Sequence, residues 1–309
     1  MGSERRDHTA DTEPTIPLQI HGVVGPHIGL VPGDSRFRVG DQCRDLGTGS
    51  RPIFGAFGSV DVMEGAYPRS DNIHGMLPPP ASESSRLGIG GWPRVQGAQT
   101  VVVPVGSFEQ HGPHLPLDTD TRIAEALAMR LPGTVLAPAI AYGASGEHEG
   151  FSGTVSIGSD ALHAVLVEYG RSACRWAARV VFVNGHGGNV STLISAVGLL
   201  RYEGRDVAWL PCAVPGADAH AGRTETSLLL YLSPDVVDMS RAEVGNTDAI
   251  DSLLPRLRAG GTKAVSPNGI LGDPRLSSGD EGEVVLQDMC ARGSAAVSRW
   301  APSDTGMLS

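Results

Sequence analysis

The amino-acid sequence predicts an α/β protein in which helices cover both faces of a mostly parallel sheet. Two observations predict this fold class. Four short, nearly continuous apolar runs are typical of strands buried on both faces, and helical stretches lie between them. Strands that alternate with helices form right-handed βαβ units, whose strands run parallel to one another.

The four predicted strands are short and rich in β-branched residues, and they span residues 100–105, 134–139, 179–184 and 206–212. Folds of this class bind ligands beyond the carboxyl ends of their strands. The polar clusters of this sequence directly follow predicted strands, so we expect the functional site at that edge of the sheet.

Three helices are predicted between the strands, at residues 119–131, 159–177 and 189–204. The first repeats apolar residues four apart from Ile123 to Leu131, which places them on one face. Ser159 and Asp160 are both suited to cap the second helix. Gly204 is suited to follow the third helix, because glycine tolerates the left-handed backbone found there.

Composition divides the chain near Gly97. The residues before it are rich in Gly, Pro, Ser and Asp without a sustained apolar period, and PPPASESS at 78–85 is typical of a linker. We therefore predict a domain at 97–309. Residues 1–96 are predicted to be an N-terminal extension that is either disordered or the product of an upstream start codon.

Charge and hydropathy argue against several classes of function. A net charge of −10 disfavours nucleic acid and anionic membranes as partners, since both attract clustered Lys and Arg. The sequence has no run of about 18 apolar residues to form a transmembrane helix, and its N-terminus lacks the apolar stretch of a secretory signal. The four cysteines form no CxxC pair, so we expect reduced thiols and a cytoplasmic protein.

The densest polar cluster is GSFEQHGPHLPLDTD, directly after the first predicted strand. Glu109 and His111 lie two residues apart, so they point the same way in an extended segment. Carboxylate and imidazole ligands together suit Zn, Mn or Fe better than Ca or Mg. We predict a metal site that includes Glu109, His111 and Asp120, whereas Asp118 is expected to cap a helix and His114 to lie in a turn.

A second cluster, NGHGGN, lies between the third predicted strand and a helix. It would place His186 at the carboxyl end of the strand, and its glycines allow the backbone to approach a ligand closely. A phosphate-binding loop is the competing interpretation, because backbone N–H groups gather at a helix start. The segment lacks the full GxGxxG or P-loop pattern, which weakens that alternative.

Two further segments carry candidate side chains. In DAHAGRTETS, His220 and Glu225 lie five residues apart after the fourth predicted strand, although a surface histidine and a helix-start carboxylate remain open alternatives. The glycine-rich segment YGASGEHEGFSGTVSIG carries Ser145, Glu147 and His148 and is predicted to line the pocket and bind substrate. The turn-like SPNGILGDP has structural, oligomer-contact and catalytic roles open to it.

The clusters together resemble the creatininase family over about residues 97–300. The resemblance is carried by GSFEQHGPHLPLDTD, HEGFSGT, NGHGGN and HAGRTETS. It implies a three-layer α/β/α sandwich with a mostly parallel sheet, two divalent metal ions per chain (Zn, Fe or Mn), and a homo-oligomer that is a hexamer or larger.

Carried over residue by residue, the resemblance implies that Glu109, Asp120 and His186 hold one metal. His111 and Asp120 would hold the other, so that Asp120 bridges the two ions. His220 corresponds to the acid/base histidine of the family.

The sequence departs from creatininase at two positions. Creatininase has a metal-binding Glu in its NGH segment where this chain has Gly188, and we predict that Glu225 supplies the missing ligand. The usual FPGT of the family is FSGT here, with Ser152, which removes no ligand.

The longer strings APAIAYGASGEHEGF, DAHAGRTETSLLL and AVSPNGILGDP resemble a peptide-cleaving branch of the family. This resemblance implies a modified precursor peptide as the substrate, from which a C-terminal piece derived from Val-Tyr is released. The alternatives are hydrolysis of creatinine or a formamide at the same site, and a non-catalytic nucleotide-binding module that uses NGHGGN.

Overall fold

The computed structural model describes residues 77–80, 85–95, 97 and 99–309. The predicted extension at 1–96 lies mostly outside these residues, as does the middle of the predicted linker at 78–85. Three described residues that precede Gly97 contact the domain. Leu77 and Leu87 are half-buried against its core, and Arg86 pairs with Leu136 at the edge of the sheet.

A four-stranded parallel sheet forms the centre of the domain, with the strand order β2-β1-β3-β4. The strands are β1 Thr100–Val105, β2 Thr134–Leu136, β3 Arg179–Asn184 and β4 Val207–Pro211. The prediction for β2 was too long, because it ran to residue 139. Ala137 N still donates to Val102 O, but the next hydrogen bond comes from Ile140 N to Pro104 O, and Pro104 itself has no N–H to donate back to this segment.

The described residues form six α-helices. They are α1 Thr119–Ala128, α2 Gly158–Ala173, α3 Val190–Tyr202, α4 Arg223–Leu232, α5 Ile250–Val265 and α6 Gly279–Arg299. The first three match predicted helices, and the last three add to the prediction. A sequence signal for α6 exists, since Ser278 and Glu281 form the S-x-x-E pattern and Ser278 Oγ accepts a hydrogen bond from Glu281 N.

Five of these helices form two layers, one on each face of the sheet, whereas α5 packs against the short turn Gly146–His148. Val102 and Val181 point into a core shared with α1, α4 and α6. Val103 and Phe182 point into the opposite core, shared with α2 and α3. This alternation is the period of two expected of strands buried on both faces, and it confirms the three-layer α/β/α sandwich.

Of two predictions about helix ends, one is confirmed and the other is wrong. Gly204 follows α3 with a φ of +80°, which confirms its predicted role. Ser159 and Asp160 do not cap α2, because the helix begins at Gly158 and the capping position is Ile157. Asp160 lies instead in the first turn, where the helix dipole favours a carboxylate. No helix in the described part of the chain combines the length and apolarity needed to cross a membrane.

Candidate metal centre

The carboxyl edge of the sheet brings Glu109, Asp120 and His186 together in a buried group that could hold a metal ion. Glu109 follows β1, Asp120 lies in the first turn of α1, and His186 follows β3. Nε2 of His186 lies 3.2 Å from Oε2 of Glu109, and its Nδ1 lies 3.2 Å from Oδ2 of Asp120. These are the three side chains predicted to share one ion.

A second group consists of His111, Asp120 and Glu225. Nε2 of His111 lies 3.0 Å from Oδ1 of Asp120 and 3.9 Å from Oε2 of Glu225. Asp120 therefore belongs to both groups and presents one oxygen to each. Glu225, at the start of α4, lies beside His111 and Asp120, and its role as the ligand that Gly188 cannot supply stays a prediction.

A third group overlaps the first two and consists of Glu109, His111 and His220. Nδ1 of His220 lies 3.9 Å from Oε1 of Glu109, and the rings of His111 and His220 have centroids 4.3 Å apart. The predicted acid/base histidine thus faces the centre directly.

The residues of the centre fit a divalent cation. Both carboxylate oxygens of Glu109 are buried without a hydrogen-bond partner, although imidazole nitrogens of His148 and His186 lie 3.3 and 3.2 Å away. Burial raises the pKa of Glu109 to about 7, against the opposing charge of His186. The imidazole nitrogens and carboxylate oxygens around this unpaired carboxylate suit Zn, Mn or Fe.

The histidines and carboxylates of the centre shift one another's proton affinity. Burial disfavours the ionised form of Asp120, but the charge and hydrogen bond of His111 outweigh it and hold the pKa of Asp120 below its ordinary value. Burial also disfavours protonated His111, yet Asp120 raises the pKa of His111 to about 10. His220 has no such hydrogen bond to a carboxylate, so burial lowers its pKa well below the ordinary value.

Two asparagines hold the NGHGGN loop in place. Asn189 accepts a hydrogen bond from Ala144 N at 2.9 Å and donates to Gly106 O at 2.9 Å. Asn184 donates to the carbonyl of His186 at 2.7 Å. Gly185 is required here, since a Cβ would lie 2.3 Å from Asp120 O. The buried carboxylates above this loop would repel a phosphate, which argues against the phosphate-binding alternative.

Two contacts that orient the proposed ligands were not predicted from the sequence. Ser107 Oγ donates to Oδ2 of Asp120 at 2.7 Å, which fixes the shared carboxylate. Nδ1 of His111 lies 3.1 Å from the carbonyl of Glu109, and a carbonyl only accepts, so Nδ1 carries a proton and Nε2 is the ring atom that would bind an ion. The sequence offered only the polarity of a strand end as a signal for Ser107.

The segment predicted to bind substrate lies directly against the centre. Ser145, Glu147 and His148 belong to a short 3₁₀ turn and its start, and Ser145 and His148 are buried. Oε1 of Glu147 lies 3.4 Å from Nε2 of His186, with a third of the side chain exposed. A Cβ at Gly188 would lie 2.5 Å from this oxygen, so the glycine makes room for Glu147.

The residues predicted to be structural stay outside the three groups. His114 is buried, and its Nε2 contacts Oγ1 of Thr226 at 2.8 Å. Asp118 holds the capping position of α1, but its carboxylate accepts from Arg122 instead of the helix backbone. Ser152 is exposed.

One side of the centre opens into a cavity of about 330 Å³. His186 and Glu225 form its inner wall, and Val190, Val214 and Leu228 give it apolar sides. Such a pocket can accept an apolar group while a polar atom of the ligand reaches the centre.

Fold and site together define the class of the protein. A parallel sheet between two helical layers carries a buried cluster of carboxylates and histidines, and the family model described as "Creatininase: Creatinine amidohydrolase" matches residues 91–297. The chain belongs to the creatininase family.

Its curated relatives include two bacterial peptidases. The chain is 58% identical over 217 residues to the "Mycofactocin precursor peptide peptidase" of Mycolicibacterium smegmatis, a match that covers 67% of this chain and 88% of that protein. It is 50% identical over 258 residues to the protein of the same name from Mycobacterium ulcerans, covering 80% of this chain and 100% of that protein. The second match takes in more of the chain than residues 97–309, so the likeness begins before Gly97.

A solved structure described as "Creatininase Mn" has the same fold. It superposes with a TM-score of 0.58 and 25% sequence identity, and the match covers 71% of this chain and 100% of that chain.

Proposed function

We propose that this protein is a two-metal amidohydrolase that cleaves the modified mycofactocin precursor peptide near its C-terminus and releases the piece derived from Val-Tyr. Membership of the creatininase family, with relatives named as peptidases, indicates a hydrolase of amide bonds. The observation that carries the two-metal proposal is Asp120, whose two oxygens face two different groups of ligand-type side chains.

In this proposal Glu109, Asp120 and His186 hold one ion, and His111, Asp120 and Glu225 hold the other. When bound, divalent ions supply a Lewis acid that polarises a carbonyl and lowers the pKa of water. The ligand set supports Zn, Mn or Fe, because these ions accept both imidazole and carboxylate.

His220 is proposed to carry the proton to the leaving amine. Its Nε2 lies 2.8 Å from the carbonyl of Gln110, which leaves Nδ1 facing Glu109 and the centre. Amide cleavage requires protonation of the departing nitrogen, and a positioned histidine contributes about 10²–10⁴-fold to such a step.

The peptide substrate is supported by the peptidase relatives and by the cavity beside the centre, whose apolar sides suit the side chains of a peptide. We further propose that the protein acts in the cytoplasm as a homo-oligomer of at least six chains. Large exposed apolar side chains, among them Leu276 and Val284, would be covered by such an assembly.

The test is hydrolysis by metal-loaded protein of the modified precursor peptide, the unmodified peptide, creatinine and a formamide, followed by mass spectrometry. We expect cleavage of the modified peptide near its C-terminus and its loss in His220→Ala. Faster turnover of creatinine or the formamide than of the peptide would show that this small amide, and not the peptide, is the substrate. Nucleotide binding that survives chelation, without any hydrolysis, would contradict an enzymatic role.

A further inference from the structure

Gln110 lies between two proposed ligands and is buried behind the centre. Its side-chain nitrogen Nε2 lies 2.8 Å from Nδ1 of His148, 3.1 Å from Nε2 of His220 and 3.0 Å from the carbonyl of Gly269. An amide group has only two hydrogens on this nitrogen. The three contacts therefore cannot all be donated hydrogen bonds.

The orientation of the Gln110 amide follows from its two backbone partners. Gly112 N lies 2.9 Å from Oε1 and can only donate. The carbonyl of Gly269 lies 3.0 Å from Nε2 and can only accept. Exchanging the oxygen and nitrogen would spoil both contacts, so the amide has one acceptable orientation.

The proton positions on the two histidines follow from this orientation. Nε2 of His220 lies 2.8 Å from the backbone carbonyl of Gln110, so Nε2 carries a proton. It cannot also accept from the amide of Gln110. The second amide hydrogen therefore goes to Nδ1 of His148, at 2.8 Å, and this nitrogen is the acceptor.

We propose that Gln110 is a positioning residue, whose side-chain amide fixes the tautomer of His148 and whose backbone carbonyl fixes that of His220. His148 then carries its proton on Nε2, which faces Oε1 of Glu109 at 3.3 Å. His220 presents Nδ1 to the same oxygen at 3.9 Å. The consequence for catalysis rests on the proposed function, because Nδ1 is then the atom through which His220 exchanges its proton.

The segment SPNGILGDP, whose role the sequence left open, supports this network. Gly269 has a φ of +80°, and a Cβ there would lie 1.9 Å from Oε1 of Gln110. Ser266 Oγ lies 2.7 Å from Ile270 O and 2.8 Å from Oδ1 of Asn268. The turn is thus held in the shape that presents the Gly269 carbonyl to Gln110.

The experiment is NMR of protein labelled with ¹⁵N-histidine and loaded with Zn²⁺, which reports the protonation of each ring nitrogen. We expect His148 with a bare Nδ1 and a protonated Nε2, and His220 with a protonated Nε2. The opposite tautomer of His148 in the wild-type protein would overturn the proposal, even if no variant folds. This readout does not depend on any peptide being cleaved, so it stands apart from the test of the proposed function.

Gln110→Glu keeps the shape and the acceptor for Gly112 N, but it removes the donors to His148 and to the carbonyl of Gly269. We expect Nδ1 of His148 to become protonated, so that its Nε2 no longer offers a proton to Oε1 of Glu109. The result should be a kcat reduced about 10–100-fold, a KM changed less than about threefold, and Zn²⁺ content retained. Gln287→Glu is the matched control on α6, outside the site, and should behave as wild type. Unchanged His148 shifts and unchanged kcat in Gln110→Glu would contradict the proposal.

Discussion

At the scale of single residues, the proposed chemistry depends on Asp120. Its carboxylate is oriented by Ser107 and lies between His111 and His186, so each oxygen faces a different group. A carboxylate that binds a single ion would need a ligand-type side chain beside only one of its oxygens. The other proposed ligands each contribute to one ion, which makes Asp120 the most informative position to change.

Asp120→Ala should therefore abolish the binding of both ions, because each group falls to two protein ligands and loses the shared charge. Elemental analysis after reloading should find close to zero equivalents per chain. Asp118→Ala is the matched control, since Asp118 lies two residues away and pairs with Arg122 on the surface. A full equivalent retained by Asp120→Ala would contradict the shared carboxylate.

Glu225→Gln distinguishes the two proposed metal sites, because it changes a ligand of only one of them. The glutamine oxygen can still accept from Ala221 N, as Oε2 of Glu225 does at 2.6 Å, but the charge beside His111 is lost. We expect the loss of about one metal equivalent and of most activity, with the ion at Glu109 and His186 retained. Glu281→Gln is a suitable control. Glu281 lies on α6 outside the centre and contacts Arg223, which is on α4 with Glu225. Two ions at wild-type affinity would show that another side chain completes the site.

At the scale of elements, strand ends were the most predictable feature. The four apolar runs located the sheet, and the polar segments after three of them supplied all five proposed ligands. The orienting contacts were not predictable, because Ser107, Gln110 and Asn189 act through partners far away in sequence. Such contacts depend on the packing of loops, which hydrophobic periodicity does not encode.

Helix α5 holds the turn that carries Glu147 and His148 through Lys263, the only lysine in the sequence. Its Nζ donates to Gly150 O at 3.1 Å and lies 5.4 Å from the ring centroid of Phe151. An exposed cation–π contact and a hydrogen bond are each worth about 1 kcal/mol.

Lys263→Met should therefore loosen this turn, with amide hydrogen exchange at residues 148–151 faster by roughly 5–30-fold. Metal content should stay unchanged, since neither Glu147 nor His148 is among the five proposed ligands. Lys263→Arg keeps the charge and should recover much of the protection. Identical amide hydrogen exchange in Lys263→Met and the wild-type protein would show that Lys263 does not hold this turn.

At the scale of the whole molecule, the N-terminal boundary of the domain remains a prediction. Composition places it near Gly97, yet Leu77 and Leu87 pack against the core and Arg86 pairs with the edge strand. Apolar contacts of this kind come from residues spaced irregularly in a Pro- and Gly-rich segment, which explains why pattern reasoning assigned them to the extension.

Two truncations test this boundary. Deleting residues 1–76 should leave the thermal midpoint and activity close to wild type, as the composition of that segment predicts. Deleting residues 1–90 should lower the midpoint by roughly 2–8 °C, because it removes both leucines. Calorimetry compares the two variants. Equal midpoints for both deletions would show that these contacts do not stabilise the domain.

The most direct test of the two-metal centre is anomalous diffraction from crystals loaded with Zn²⁺. The side chains form three overlapping groups, so the positions of the ions distinguish the alternatives. We predict two peaks, one among Glu109, Asp120 and His186 and one among His111, Asp120 and Glu225. A single peak among Glu109, His111 and His220, or no peak within coordination distance of Asp120, would contradict the account.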